Sequence, residues 1–143
     1  MWHVYFRGGR FFVPVVAQTD AGYFLDIDPV ATVPGDAADA LATCVSAAID
    51  RGNPRVPAPL RHEFPAPVVL APAGVKTWAT FERKAACWTI TRDAGNYTVA
   101  ASGRGADGKW IEDPASKVQV GVGEGPAAIA AVILQQRNAR RDL

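Results

Sequence analysis

Two short acidic runs carry the best-placed polar chemistry in the chain: Asp26-Ile27-Asp28-Pro29 and Glu112-Asp113-Pro114. Paired carboxylates can divide acid and base roles between them, or hold a divalent cation through oxygen ligands. Both runs end in proline at the exit of a strand-like stretch. A carboxylate there also accepts hydrogen bonds from the N–H groups of the following turn, and this structural use is the simpler reading. A third chemistry is recognition. Exposed carboxylates, with Asp20 in the neighbouring Asp20-Ala21-Gly22 turn, can meet arginine and lysine on a partner protein.

Other candidate sites are weaker. Gly103 to Gly108 fits G-x-G-x-x-G, but a dinucleotide site needs that loop to open a helix. Here Lys109-Trp110-Ile111 follows and reads as a strand, so a hairpin loop is expected. Gly121 to Gly125 does run from strand to helix, yet it lacks the Lys-Ser/Thr of a P-loop, and Glu124 would repel phosphate. His3 lies on a strand and His62 in a proline-rich connector beside Arg61 and Glu63, without the paired carboxylates or thiols of a metal site, and Cys44 and Cys87 are two isolated thiols with the context of buried positions. The sequence therefore predicts no catalytic residue, no cofactor and no bound metal. Of the four tryptophans, Trp2, Trp88 and Trp110 open strands and suit a core. Trp78, with Glu82 on the same short amphipathic segment, suits a partly exposed interface anchor.

The elements that must position these residues follow a repeated plan. Sliding the chain by 86 residues aligns Trp2 with Trp88, Val4 with Ile90, Gly9 with Gly95, Phe24 with Trp110 and Asp26 with Glu112. Residues 2–7 alternate as a strand and Gly8-Gly9 signals a tight hairpin. Residues 11–17 form a second strand, in which Pro14 demands an edge or a bulge, and residues 23–28 a third. Pro34-Gly35-Asp36 predicts a helix capped by Asp36 and ended by Gly52. The second unit repeats this order. Its strands fall near 87–91, 97–101, 110–111 and 117–122, and an Ala-rich helix starts at Pro126, with residues 137–143 expected to fray. Between the units, residues 53–86 form a proline-rich connector in which Val68 to Leu70 adds a strand or a plug. The expectation is a single α+β domain over 1–143: two β-β-β-α units, 1–52 and 87–138, forming mainly antiparallel sheet with two Ala-rich helices packed on it.

Composition bounds the remaining classes. A formal net charge of +1 gives no general attraction to nucleic acid or membranes. No apolar run approaches bilayer length and no secretory leader is visible, so a cytoplasmic location is expected. The charge is uneven: residues 1–50 carry two arginines against six aspartates, whereas Arg137, Arg140 and Arg141 cluster at the end.

Trp2-x-Val4-Tyr5-Phe6-Arg7-Gly8-Gly9-Arg10-Phe11-Phe12-Val13-Pro14, with Gly22-Tyr23-Phe24 after it, resembles a group of small bacterial proteins. So does Gly74-Val75-Lys76-Thr77-Trp78-Ala79-Thr80-Phe81-Glu82, followed by Cys87-Trp88-Thr89-Ile90. The group includes immunity proteins of contact-dependent growth inhibition systems in Burkholderia-like bacteria. The resemblance implies a cytoplasmic inhibitor that binds the C-terminal domain of a cognate toxin, a nuclease, and occludes its active site. On that reading the protein is a monomer or weak dimer by itself. Asp20, Asp26, Asp28, Trp78, Glu82, Glu112 and Asp113 are then the partner-contact candidates. Two alternatives stand beside it. One is a small enzyme using Asp26, Asp28, Glu112 and Asp113 in a cleft between the units; the other is a non-catalytic oligomerising module.

Overall fold

The computed structural model describes residues 1–140. The N-terminal unit is a meander of β1 (Trp2–Arg7), β2 (Arg10–Thr19) and β3 (Phe24–Pro34), followed by helix α1 (Ala38–Arg51). The connector contributes a short strand, β4 (Arg55–Val56), and two short helices, α2 (Leu70–Ala73) and α3 (Trp78–Glu82). The C-terminal unit holds β5 (Ala85–Arg92), β6 (Asn96–Arg104), β7 (Trp110–Glu112), β8 (Val118–Gly121) and helix α4 (Gly125–Ala139). The strands make one sheet ordered β3-β2-β1-β5-β6-β7, with β8 also on β6 and β4 parallel to β2. All other pairings are antiparallel.

The two units meet through β1 and β5, and their pairing follows the same shift as their sequences. Trp2 lies opposite Ile90 and Val4 opposite Trp88, two pairs that exchange under the 86-residue shift. Tyr5 opposite Phe12 becomes Thr91 opposite Thr98 in the second hairpin. Val16 opposite Asp26 becomes Ser102 opposite Glu112. A two-fold pseudo-axis therefore passes through the His3–Thr89 pair at the centre of the sheet. The long β3 corresponds to β7 and β8 together, which the turn at Pro114–Ser116 separates.

Alternation along the strands divides the sheet into two faces. On one face Trp2, Val4, Phe6, Phe11, Trp88, Ile90 and Val99 pack with Leu41 and Val45 of α1 and Ile129 and Ile133 of α4. The two helices also touch each other, and their alanines allow this close approach. On the other face Tyr5, Phe12 and Cys87 pack beneath Val69, Leu70 and Phe81 of the connector. The connector is thus a cover. Val69 and Leu70 form a plug rather than a strand: Val69 precedes the four-residue helix and both residues are buried.

Pro14 marks a bulge, one of the two placements expected of it: it pairs with Val30 of β3, and the register shifts between Pro14 and Val15. Other local expectations change. The first helix has Ala37 rather than Asp36 at its N-cap, with no side-chain cap bond. β3 runs to Pro34, because its pairing with β2 resumes beyond the irregularity. The C-terminal arginines do not fray with the tail. The Arg137 guanidinium lies over the rings of Phe6 and Phe11, at 5.2 and 5.7 Å, and donates to the Gly35 carbonyl. Arg140 lies 5.8 Å over Trp88 and donates to the Ser102 carbonyl at 3.0 Å. Aromatic faces hold both cations, so they fasten the end of α4 to the sheet. Arg141 and the rest of the predicted fraying segment, 141–143, lie outside the described residues.

Candidate functional site

The site grows from alternation on β1. His3 and Tyr5 are two residues apart, so both side chains leave the sheet on the face that the helices do not cover. β2 lies between β1 and β3 on the path of the sheet, and the meander brings Asp26 of β3 to the same face. The Asp26 carboxylate receives both neighbours: its Oδ1 is 2.7 Å from His3 Nδ1, and the Tyr5 hydroxyl donates to its Oδ2 at 2.6 Å. The aspartate side chain is 17% exposed. Its charge is therefore held by oriented donors at the floor of a recess rather than dispersed in solvent.

The recess has a volume of about 450 Å³. Its walls are Phe24, Leu25, Phe64, Trp78 and the prolines of the connector, with His3, Tyr5 and Asp26 at its base. Trp78 stands perpendicular to Tyr5, with an interplanar angle of 89° and centroids 6.3 Å apart. It stacks on Phe81 at 5.4 Å, and Phe81 is fully buried. The Thr77 hydroxyl caps α3 by accepting from the Thr80 N–H at 3.2 Å, which fixes the helix that carries Trp78. At the rim, Phe64 stacks on Tyr23 at 6.3 Å, and both are exposed.

Beneath the recess, Tyr5 packs in one buried cluster with Cys87. Burial first, then the Cys87 thiol and the Asp26 charge, push the Tyr5 phenol well above its ordinary range. Burial, reinforced by Asp26, pushes the Cys87 thiol up as well, which leaves it protonated and a poor nucleophile. Cys44 and Cys87 are both free thiols.

The candidate residues separate. Asp26 and Trp78 share the recess. Asp20 is exposed and accepts the Ala58 N–H at 2.8 Å, tying the connector to the β2–β3 turn. Asp28 is exposed near the irregularity of β3. Glu82 lines a different cavity, where it lies 3.6 Å from the Arg104 guanidinium. Glu112 pairs with Lys117 at 3.2 Å. The Asp113 carboxylate caps the Pro114–Ser116 turn by accepting the Ala115 N–H at 3.0 Å. No described cavity gathers Asp26, Asp28, Glu112 and Asp113, and Asp26 and Asp113 line separate ones. The cleft between units imagined for a carboxylate enzyme is filled by the β1–β5 pairing instead. Among the described residues no group of three or more histidines, cysteines and carboxylates could hold a metal ion.

No carboxylate stands near His3 or Tyr5 along the chain, so the sequence alone does not join them to Asp26. Their alternation with Val4 on β1 was the available signal, but the register of the meander was needed to bring Asp26 to them. His62, the other histidine, is exposed beside Glu63 at 3.7 Å. The two glycine-rich runs take the expected forms. Gly105 and Lys109 close the β6–β7 loop through a 2.8 Å hydrogen bond, and residues 122–124 turn from β8 into α4.

No described helix is long and apolar enough to cross a membrane. No family model matches the chain, and no curated protein matches it. The chain is similar in fold to a protein of unknown function from Neisseria meningitidis, NMB0488. The TM-score is 0.70 at 14% sequence identity, covering 97% of this chain and 94% of that one. At that identity the likeness establishes a shared α+β architecture across nearly the whole length of both proteins.

Proposed function

We propose that this protein is a cytoplasmic immunity protein that binds and neutralises the C-terminal domain of a cognate contact-dependent growth inhibition toxin, a nuclease, by occluding its active site. The observation that carries the reading is the Asp26 carboxylate at the base of a recess walled by Tyr5, Phe24, Phe64 and Trp78. A guanidinium or ammonium group entering it would meet a fixed anion within apolar walls, where ion pairing is stronger than in water. Aromatic faces add cation–π attraction. Nuclease clefts present such cations to the phosphates of their substrates. The exposed Phe64 at the rim, with Tyr23 stacked on it, is of the kind that excludes water around a binding anchor. Asp20 and Asp28 add negative charge on the same half of the protein and would speed encounter with a basic partner.

The test is co-expression with the toxin domain encoded by the gene immediately upstream. Protection from growth arrest and a 1:1 complex on size exclusion are expected, and Asp26→Ala with Trp78→Ala should abolish both. Absence of protection by the parent protein would sink the reading.

A second reading has its own observation. His3 held by Asp26 at 2.7 Å is the arrangement that orients an imidazole as a general base, and both residues line the recess. It predicts turnover of a small ester or amide that His3→Gln abolishes. The inhibitor reading instead predicts protection that survives His3→Gln, because a glutamine side chain still reaches Asp26 with a hydrogen-bond donor.

A further inference from the structure

A second cavity, of about 390 Å³, neighbours the first on the same region of the protein. The two are separated by aromatic rings: Trp78 lines the first, Trp110 the second, and their centroids are 6.2 Å apart. Its electrostatic character is the reverse. Arg83, Lys84, Arg104 and Arg140 surround it, against the single carboxylate of Glu82.

These cations come from three separate parts of the chain. Arg83 and Lys84 stand where α3 gives way to β5, Arg104 ends β6, and Arg140 follows α4. Their convergence is a product of the fold. Like charges around one hollow repel one another, and an anion between them relieves that repulsion. Two of the groups are already oriented. Arg140 is held by the Ser102 carbonyl at 3.0 Å and by the face of Trp88. Arg104 is held by Glu82 at 3.6 Å, with its side chain still 48% exposed. A guanidinium fixed in this way offers a planar fork of N–H donors that matches two oxygens of a phosphate group. The half-buried Trp110 ring adds a flat wall of the kind on which a nucleobase stacks.

We propose that this cavity binds a phosphate-bearing small molecule, with the phosphate held between Arg104, Arg140 and Lys84. The ligand is either a free inorganic polyphosphate or a mononucleotide, and the shared chemistry is the phosphate group. The assignment is independent of the toxin reading, because none of these cations lines the Asp26 recess.

The experiment is a titration of the full chain, followed by nitrogen–proton correlation spectra at the Gly103 amide, the Trp110 indole and the Arg104 Nε. Sodium pyrophosphate, AMP and sodium chloride are added at matched ionic strength. Saturable shifts are expected with pyrophosphate or AMP and not with chloride. Arg104→Ser and Lys84→Ser, both at exposed side chains, should each weaken binding about tenfold, the effect of losing one charge-assisted contact. Tighter binding of AMP than of pyrophosphate assigns the site to nucleotides through Trp110, and the reverse order assigns it to inorganic polyphosphate. Shifts that chloride reproduces, or equal binding by both variants and the parent, overturn the proposal. Unchanged melting temperatures of the two variants exclude misfolding as a cause of lost binding.

Discussion

Replacing Asp26 by alanine tests whether the floor of the recess is held by hydrogen bonds or merely by packing. The carboxylate accepts from the Tyr5 hydroxyl at 2.6 Å and meets His3 Nδ1 at 2.7 Å. Tyr5 is only 7% exposed, so its hydroxyl finds no ready replacement acceptor in solvent. Losing hydrogen bonds to a charged acceptor and leaving a buried donor unpaired should together cost about 3 kcal/mol. For a chain of this length, with an unfolding entropy of roughly 0.3 kcal/mol/K, that lowers the melting temperature by about 10 °C. Tyr5→Phe should cost less, about 1 kcal/mol, because Asp26 keeps His3 while the ring keeps its edge contacts with Phe81 and Trp78. The double variant has no stranded hydroxyl, so its loss should fall short of the sum of the two single losses by about 1.5 kcal/mol. Urea melts at neutral pH, with an unchanged denaturant slope, measure all three values. Additivity within about 0.4 kcal/mol would refute the reasoning, since it would mean that the hydroxyl and the carboxylate do not interact. The same set separates stability from binding. Asp26→Ala should weaken the toxin complex by about 3 kcal/mol, near 150-fold, while Tyr5→Phe changes it little.

Other consequences follow from the packing. A Cβ added at Gly35 would sit 2.8 Å from both the Gly9 carbonyl oxygen and the Phe6 ring, so Gly35→Ala should destabilise by about 1–3 kcal/mol. Gly95→Ala, which meets nothing within 4 Å, is the control; equal melting temperatures for the two would contradict the close approach. A thiol reagent should modify the half-exposed Cys44 while the native protein protects Cys87, and modification of Cys87 at the rate of an open thiol would show that the connector does not cover it. Tyr5 should titrate well above the ordinary tyrosine range in an ultraviolet difference titration. Its phenol is raised in the folded state, so the associated stability is fully present below the unfolded value of about 10 and lost as pH rises through the folded value. Stability that does not fall as pH rises beyond about 10 would contradict this.

Much of the scaffold was legible in local patterns. Alternation gave β1 as Trp2, Val4 and Phe6 against His3, Tyr5 and Arg7, and the Gly8-Gly9 turn gave its hairpin partner. Helical spacing gave α1 and α4, and Gly52 stops the first of them with a φ of 70°. Local rules went astray where tertiary packing supplied an alternative. Ala37 took the N-cap position assigned to Asp36. The arginines of the last turn stayed ordered because aromatic rings of the sheet lie beneath them.

The candidate site was only half legible. Asp26 and Trp78 carried their own signals, an acid beside a turn and an aromatic on a short amphipathic segment. The sequence by itself determined the period of each strand, the stops of the helices and the repeated order of the two units. Each of those depends on contacts within a few residues. Only the tertiary structure decided that the units share one sheet, that the connector covers its second face, and that Asp26 stands against His3 and Tyr5 while Glu112 and Asp113 stand apart. Those outcomes depend on strand register and on which face the connector crosses. A side chain's nearest neighbours across a sheet are set by pairings between distant segments, and no local spacing records them.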